Sequence, residues 1–257
     1  MDLHLRNKTA LITGGSRGIG FGVARLLASE GCHLHLASRS ATDLEAAKKT
    51  IQDQYPVNVT IHPGDLSTQE ACVKLVASCP DVDILINNAG AIPQGSITAL
   101  DDKTWRTAWD LKVWGFIDIT REIYRNMCGR KRGVIVNIIG AAGERPVANY
   151  IAGSMGNASL MAMTRAIGAE SPEHGVRVIG INPGGTETDR QIVRWRARAE
   201  KELGSADRWR ELTTSFPFGR LGTVDEVASM AVFLCSDWSG YTTGTIITID
   251  GGVSWKK

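Results

Sequence analysis

At 257 residues, 43% apolar and 22% charged, the chain can bury one large α/β core or two small ones. A formal net charge of +2 without a long basic run excludes a chain built for nucleic acid, and no apolar run approaches the ~18 residues that cross a bilayer. The five cysteines are scattered, with no C-x-x-C pair and no histidine cluster at ligand spacing, so reduced thiols and no metal site are expected. The opening "MDLHLRNKTALITGG" lacks a long apolar core followed by a small-residue cleavage site, so the expectation is no signal peptide and a cytoplasmic location.

In chain order, short β-branched apolar runs alternate with helical patterns. "TALIT" at 9–13 predicts a buried strand, and 18–30 a helix with Ile19, Val23, Leu26 and Leu27 on one face. "HLHLAS" is a second strand and "ATDLEAAKKTIQDQ" a second helix, with Thr42 or Asp43 as its cap. Further strands follow in "VTIHPGD", "VDILINNAG", "GVIVNIIG", "VRVIGINPG" and "TIITIDGG". Strands separated by helices pair in parallel through right-handed crossovers, with helices on both faces. No linker or repeat divides the chain, so residues 1–257 are read as a single α/β domain with a Rossmann-like doubly wound parallel sheet. Ligands of such sheets bind beyond the carboxyl ends of the strands.

"TGGSRGIG" at 13–20 follows the first strand and opens the first helix. Glycines there let backbone approach a pyrophosphate, whose charge is stabilised by helix N-terminal N–H groups. Alone the motif is weak, since glycines also serve plain tight turns. It is joined by "GDLS" at 64–67, "NNAG" at 87–90, "INPGGTETD" at 181–189 and "IDGG" at 249–252. With "GRLGTVDEVASMAVFLCSDWSGYTTG", these motifs resemble the short-chain dehydrogenase/reductase family, notably its 3-oxoacyl-(acyl-carrier-protein) reductase-like group, over nearly the whole chain. The resemblance implies hydride transfer between a nicotinamide dinucleotide and a small-molecule carbonyl or alcohol. It implies that Gly14, Gly18 and Gly20, with Ser16, Arg17 and Ile19 of the same turn, cradle the phosphates. By the same resemblance Asp65 and Leu66 meet the adenine, and Asn87, Ala89 and Gly90 flank the ribose. Pro183, Gly184, Thr186 and Thr188 approach the nicotinamide. Family members usually pair through the helices carrying the catalytic columns, so a homodimer or homotetramer is expected.

Cofactor choice has its own signal. NAD binders tend to end the second strand with an acid that bonds the ribose 2′-hydroxyl, whereas a 2′-phosphate prefers cations. Here the strand ends with Ser38 followed by Arg39, and Arg17 stands in the glycine turn. Guanidinium groups match phosphate geometry, so NADP(H) is favoured over NAD(H).

In the family a tyrosine acts as general acid/base and a serine orients the reacting oxygen. A lysine lowers the tyrosine pKa and holds the ribose, and an asparagine on the preceding helix secures a relay water. Counting back from Thr164 in "LMAMTRAIGAE" puts the tyrosine column at Gly153. The serine column, at the end of "GVIVNIIG", falls on Gly140 with no gap between the two counts. The lysine column is then Asn157, and the asparagine column, in "WRTAWDLKVWG", is Lys112. All four are changed, and Tyr150 lies three residues before its column.

Two readings stay open. In one, asparagine and lysine have exchanged places. Asn157 bonds the ribose hydroxyls, Lys112 returns the positive charge from the other helix, and Tyr150 supplies a displaced acid beside Lys112 from one turn earlier. In the other, Lys112 is structural or solvated and Tyr150 packs in a loop. The two glycines enlarge the pocket over the nicotinamide, with Glu144, Arg145 and Asn149 as candidates to line it. The expected function is an NADP(H)-favouring oxidoreductase with a non-standard site, against a catalytically silent dinucleotide-binding protein or a non-redox lyase-type enzyme on the same fold.

The segment at about 189–218 lies where the family carries its substrate lid. Arg190, Arg194, Arg196, Arg198, Arg208 and Arg210 interleave with Trp195 and Trp209 there. The spacing predicts a helical pair whose tryptophans and leucines pack inward while the arginines face water; the alternative is a surface for an anionic or aromatic ligand.

Overall fold

A computed structural model describes residues 1–256. Its seven strands are β1 (Thr9–Thr13), β2 (His33–Ser38), β3 (Val59–Pro63), β4 (Ile84–Asn87), β5 (Gly133–Ile138), β6 (Val176–Pro183) and β7 (Ile246–Ile249). All pair in parallel, in the order β3-β2-β1-β4-β5-β6-β7. The order reverses between β1 and β4, and that reversal opens a crevice at their carboxyl ends. Burial follows position in the sheet. "ILIN" of β4 is buried at every residue, as a strand covered on both faces must be, whereas edge strand β3 is fully buried only at Val59 and ends at Pro63.

Helices α1 (Gly18–Ser29), α2 (Ala41–Gln52) and α8 (Val224–Cys235) cover one face, where Val23, Leu27, Leu44, Ile51 and Val227 meet Ile12, Leu36 and Ile86. On the other face, α3 (Gln69–Ala77) and α5 (Gly115–Arg130) bring Leu75, Ile119 and Ile123 onto Leu11, Leu85 and Ile135. There too lies α6 (Ile151–Glu170), whose Leu160 and Met161 pack with Phe116 and Ile139. A buried polar chain ties α6 to the sheet. Asn87 Nδ2 donates to Asn137 Oδ1, and Asn137 Nδ2 donates to Thr164 Oγ1, each at 2.9 Å.

Three local features differ from the sequence expectation or add to it. The cap of α2 is Ser40, whose Oγ accepts from Asp43 N at 3.1 Å; Thr42 and Asp43 already belong to the first turn. Helix α4 (Asp102–Trp109) runs into α5 through a π-helical turn at Asp110–Trp114, a wide turn often found at functional sites, and this turn carries Lys112. Finally α6 starts at Ile151, so Tyr150 is its non-helical leading residue with φ −144° and ψ 37°.

The 189–218 segment forms α7 (Asp189–Leu203) followed by short 3-10 turns. Trp209 is buried with Ala199 and Leu221, and Trp195 and Leu212 pack partly against them, so the tryptophans turn inward as expected. All six arginines are exposed, and two of them, Arg190 and Arg194, also line the crevice.

Candidate active site

The carboxyl ends of β1, β4, β5 and β6 open into a cavity of about 810 Å³, within the ~300–1,000 Å³ range of small-molecule sites. One end is walled by the turn between β1 and α1. Gly14, at φ +64°, donates its N–H to Ala37 O at 2.7 Å. The Asn88 amide donates to Thr13 O and Gly14 O, both at 3.1 Å, and Thr13 Oγ1 accepts from Asn88 N and Ala89 N. The turn is therefore pinned from behind, with its open side toward the cavity. A Cβ at Gly20 would overlap the Gly14 carbonyl. Helix α1 begins with neither a side-chain cap nor an acid in its first turn, which leaves its first N–H groups free for an anion.

The rim of this end is cationic. Arg39 lines the cavity and has no ion pair among the described residues. Arg17 meets Asp43 only at 3.9 Å with both side chains exposed, a pair of small energetic weight. Between them, Ser38 Oγ is buried without a hydrogen-bond partner. Open backbone donors, unneutralised guanidinium groups and an orphaned hydroxyl fit a phosphorylated nucleotide.

Most sequence-predicted nucleotide residues line the cavity: Gly14, Ser16, Arg17, Gly18, Ile19, Ser38, Arg39, Leu66, Ala89, Gly90, Pro183, Gly184, Thr186 and Thr188. Three do not. Gly20 lies behind the turn it permits. Asp65 is exposed, its Oδ1 accepting from Ser67 N at 3.1 Å. Asn87 is 0% exposed and belongs to the Asn137–Thr164 chain, so its amide fastens strands and α6 instead of facing a ribose.

The other end is walled by side chains standing over glycines. Lys112 crosses the end of β4, its stem filling the space a Cβ on Gly90 would need. Its Nζ donates to Ile138 O at 2.7 Å and stands 4.3 Å from the Phe116 ring centroid. The side chain is buried but lines the cavity, and burial, then the charge of Arg190, lowers its pKa to about 7.

Asn157 is 3% exposed and lines the same cavity, with no hydrogen-bond partner for its amide among the described residues. A Cβ on Gly140 would lie 2.7 Å from Asn157 Nδ2, and Gly140 has φ +142°. The serine column is thus closed to any side chain on two counts. The Tyr150 ring occupies the space directly above Gly153, where a Cβ would overlap its Cε1 and Cζ. It packs among Ile92, Ala108 and Ala152, and the nearby Trp109 Nε1 donates to Ala152 O at 2.9 Å. Tyr150 therefore takes the root of the missing side chain from one turn earlier.

Tyr150 and Lys112 both line the cavity; burial raises the Tyr150 pKa, and the charges of Arg194 and Arg190 act against this rise. Glu144, Arg145 and Asn149 fall outside the cavity. Glu144 Oε2 accepts from Thr248 Oγ1 at 2.9 Å and Arg145 Nη1 donates to Val253 O at 2.8 Å, so this loop is fastened to the C-terminal segment. Asn88, Arg190 and Arg194 line the cavity as well, outside the nucleotide set that the motifs predict. Asn88 sits inside "NNAG", and its spacing gives no sign of its role behind the glycine turn.

The fold also gathers three donors that are distant in sequence. His35 Nδ1 lies 2.8 Å from His62 Nε2, and Cys79 Sγ lies 3.5 Å from the same nitrogen. Ser78 Oγ, which donates to Leu75 O, accepts from His62 Nδ1 at 3.3 Å. Hydrogen bonds within the protein link all three donors, and the cluster stands apart from the cavity.

The family model described as "Enoyl-(Acyl carrier protein) reductase" matches residues 14–254. The acetoacetyl-CoA reductase of Shinella zoogloeoides is 32% identical over 255 residues, which is 96% of this chain and 98% of that protein. The 3-oxoacyl-(acyl-carrier-protein) reductase of Chlamydia muridarum is 29% identical over 262 residues, covering 99% of this chain and all of the relative. Among solved structures, the L-sorbose reductase of Gluconobacter frateurii complexed with NADPH and L-sorbose superposes with a TM-score of 0.94 at 27% identity, covering 100% of both chains.

Proposed function

The chain belongs to the short-chain dehydrogenase/reductase family, and from that premise we propose an NADP(H)-preferring carbonyl/alcohol oxidoreductase in which Lys112 moves the proton. The coarser part, an NAD(P)-dependent oxidoreductase, follows from the family. Arg17, Arg39 and the unpartnered Ser38 support a 2′-phosphate site, as does the NADPH held by the related L-sorbose reductase. The glycine turn and the α1 N–H groups would hold the pyrophosphate, and the Asn157 amide would bond the ribose hydroxyls. When bound, the nicotinamide supplies or accepts the hydride.

One observation carries the reading: the Lys112 amine is inside the cavity, anchored to Ile138 O, with its pKa brought to about 7. A proton donor works best when its pKa lies near the operating pH. One of the three N–H bonds of the ammonium goes to Ile138 O, which leaves two for the substrate oxygen. In reduction Lys112 gives that oxygen a proton, and in oxidation it takes one back. Tyr150, raised above its ordinary pKa by burial, keeps its proton and orients the substrate by a hydrogen bond. Residues 189–218 act as the substrate lid.

The test is NADPH oxidation with a carbonyl panel. Lys112→Ala should lower kcat by roughly 10²- to 10⁴-fold while NADPH affinity stays within about threefold; Tyr150→Phe should cost about tenfold. Tight NADPH binding without turnover on any carbonyl or alcohol would return the chain to the catalytically silent reading. Trp114, at the head of α5, and Met155, on α6, are 53% and 48% exposed. Such apolar surface supports a homodimer or homotetramer, which light scattering would reject by finding a monomer.

A further inference from the structure

We propose that Arg194, supported by Arg190, is the receptor for an anionic group on the substrate, so that the enzyme takes carbonyl or alcohol compounds bearing a carboxylate or phosphate. This rests on the oxidoreductase reading and adds a substrate class to it.

The arginines of the lid sort themselves by partner. Arg196 pairs with Asp207 at 2.6 Å, Arg198 with Glu202 at 2.8 Å, and Arg210 with Glu187 at 3.0 Å. Arg208 grips both carboxylate oxygens of Glu211. Each of these four arginines is thus neutralised by an acid of the same protein. Arg190 and Arg194 are not. Among the described residues neither has an acid within 4.0 Å, and the one side-chain hydrogen bond of Arg190 goes to Gly90 O at 3.3 Å. They stand four residues apart on α7, on the face that lines the cavity. Like charges at that spacing repel on a helix, and here they do so beside Arg17, Arg39 and Lys112. Only Asp43 and Asp189 among the cavity-lining residues are acids. Two guanidinium forks left unpaired on the cavity side of α7, where the other lid arginines are all paired, point to a counter-charge that arrives with the ligand.

Location separates this charge from the phosphates of the cofactor. Those are served by the glycine turn, the α1 N-terminus, Arg17 and Arg39 at the nucleotide end. Arg190 reaches Gly90 O, beside the stem of Lys112. Arg194 follows one turn later on the cavity side of α7, where its charge acts against the burial-driven rise of the Tyr150 pKa. An oxyanion held there would fix a substrate with its reacting oxygen directed toward Lys112, and the stem of a neutral analogue would find no equivalent hold.

Binding, not turnover, tests this. Enzyme saturated with NADPH is titrated with acetoacetate against methyl acetoacetate, and with dihydroxyacetone phosphate against dihydroxyacetone, followed through the fluorescence of the bound nicotinamide. Either charged compound should bind at least tenfold more tightly than its neutral partner, and which pair shows the larger ratio distinguishes carboxylate from phosphate. Arg194→Ala should erase roughly 10- to 100-fold of that affinity, Arg194→Lys should restore part of it, and NADPH affinity should stay within about threefold. Equal affinity of charged and neutral partners, no binding by either anion, or a loss confined to NADPH overturns the proposal. An intact anion preference without hydride transfer would sink the oxidoreductase reading and leave the anion receptor standing.

Discussion

Around Gly14 and Gly20 the cavity wall is backbone, whereas around Gly140 and Gly153 it is side chain. At the nucleotide end, glycines make room for neighbouring backbone and keep the turn thin: a Cβ on Gly14 would crowd Ala89 and the Asn88 amide, and one on Gly20 the Gly14 carbonyl. At the catalytic end the same residue makes room for side chains: Asn157 over Gly140 and Tyr150 over Gly153. A catalytic column that has become glycine is therefore not an empty place. The polar groups near it enter from other roots, and their identity is set by which neighbouring side chain can cross the gap.

Breaking the backbone wall should have the largest effect. A methyl at Gly20 would overlap the carbonyl of Gly14, and backbone cannot swing aside as a side-chain tip can. Gly20→Ala should weaken NADPH at least 100-fold in a fluorescence titration; an unchanged Kd would mean that the turn does not hold the nucleotide. The side-chain wall should yield more gently. Gly153→Ala must displace the Tyr150 ring, an overpacking that costs about 1–3 kcal/mol. It should lower Tm by several degrees and kcat by roughly tenfold, with NADPH affinity unaltered. If kcat/KM were intact despite the displaced ring, Tyr150 would have no part in positioning substrate.

The smallest effect concerns Lys112 and its burial. The unfolded chain keeps this proton up to the ordinary value near ~10.4, whereas the folded protein releases it at about 7. Between those values the unfolded state binds more protons, so stability rises with pH across the window, and the full cost is present below it. Lys112→Met should accordingly raise Tm by a few degrees at pH 7, with the gain fading toward pH 10. The same amine predicts that kcat/KM for reduction falls as pH rises through about 7. A flat profile there would separate Lys112 from the proton step.

The nucleotide end was legible because its pattern is local: "TGGSRGIG" turns the chain and opens α1 within eight consecutive residues. The exceptions are informative. Asn87 and Asp65 sit in their motifs, yet one is sealed between strands and the other bonds its own turn, because a motif fixes a residue's place on the chain and not which side of the wall it faces. At the catalytic end the columns at Gly140, Gly153 and Asn157 could be counted from the sequence, but their occupants could not. Glu144 and Arg145 stand in the chain where lining residues would, but contacts with the distant C-terminal segment hold them away from the cavity.

By itself, the sequence determined the alternation of strands and helices, and with it the parallel sheet and the crevice beyond β1 and β4, because periodicity and glycine turns act over a few neighbouring residues. Tertiary structure alone decided that Lys112 is buried against Ile138 O, that the Tyr150 ring lies over Gly153, and that two of six lid arginines lack an acidic partner. Those outcomes depend on pairs separated by tens of residues or more, or on which face of α7 is turned inward. Desolvation and close packing choose among such partners only once the chain has closed around them.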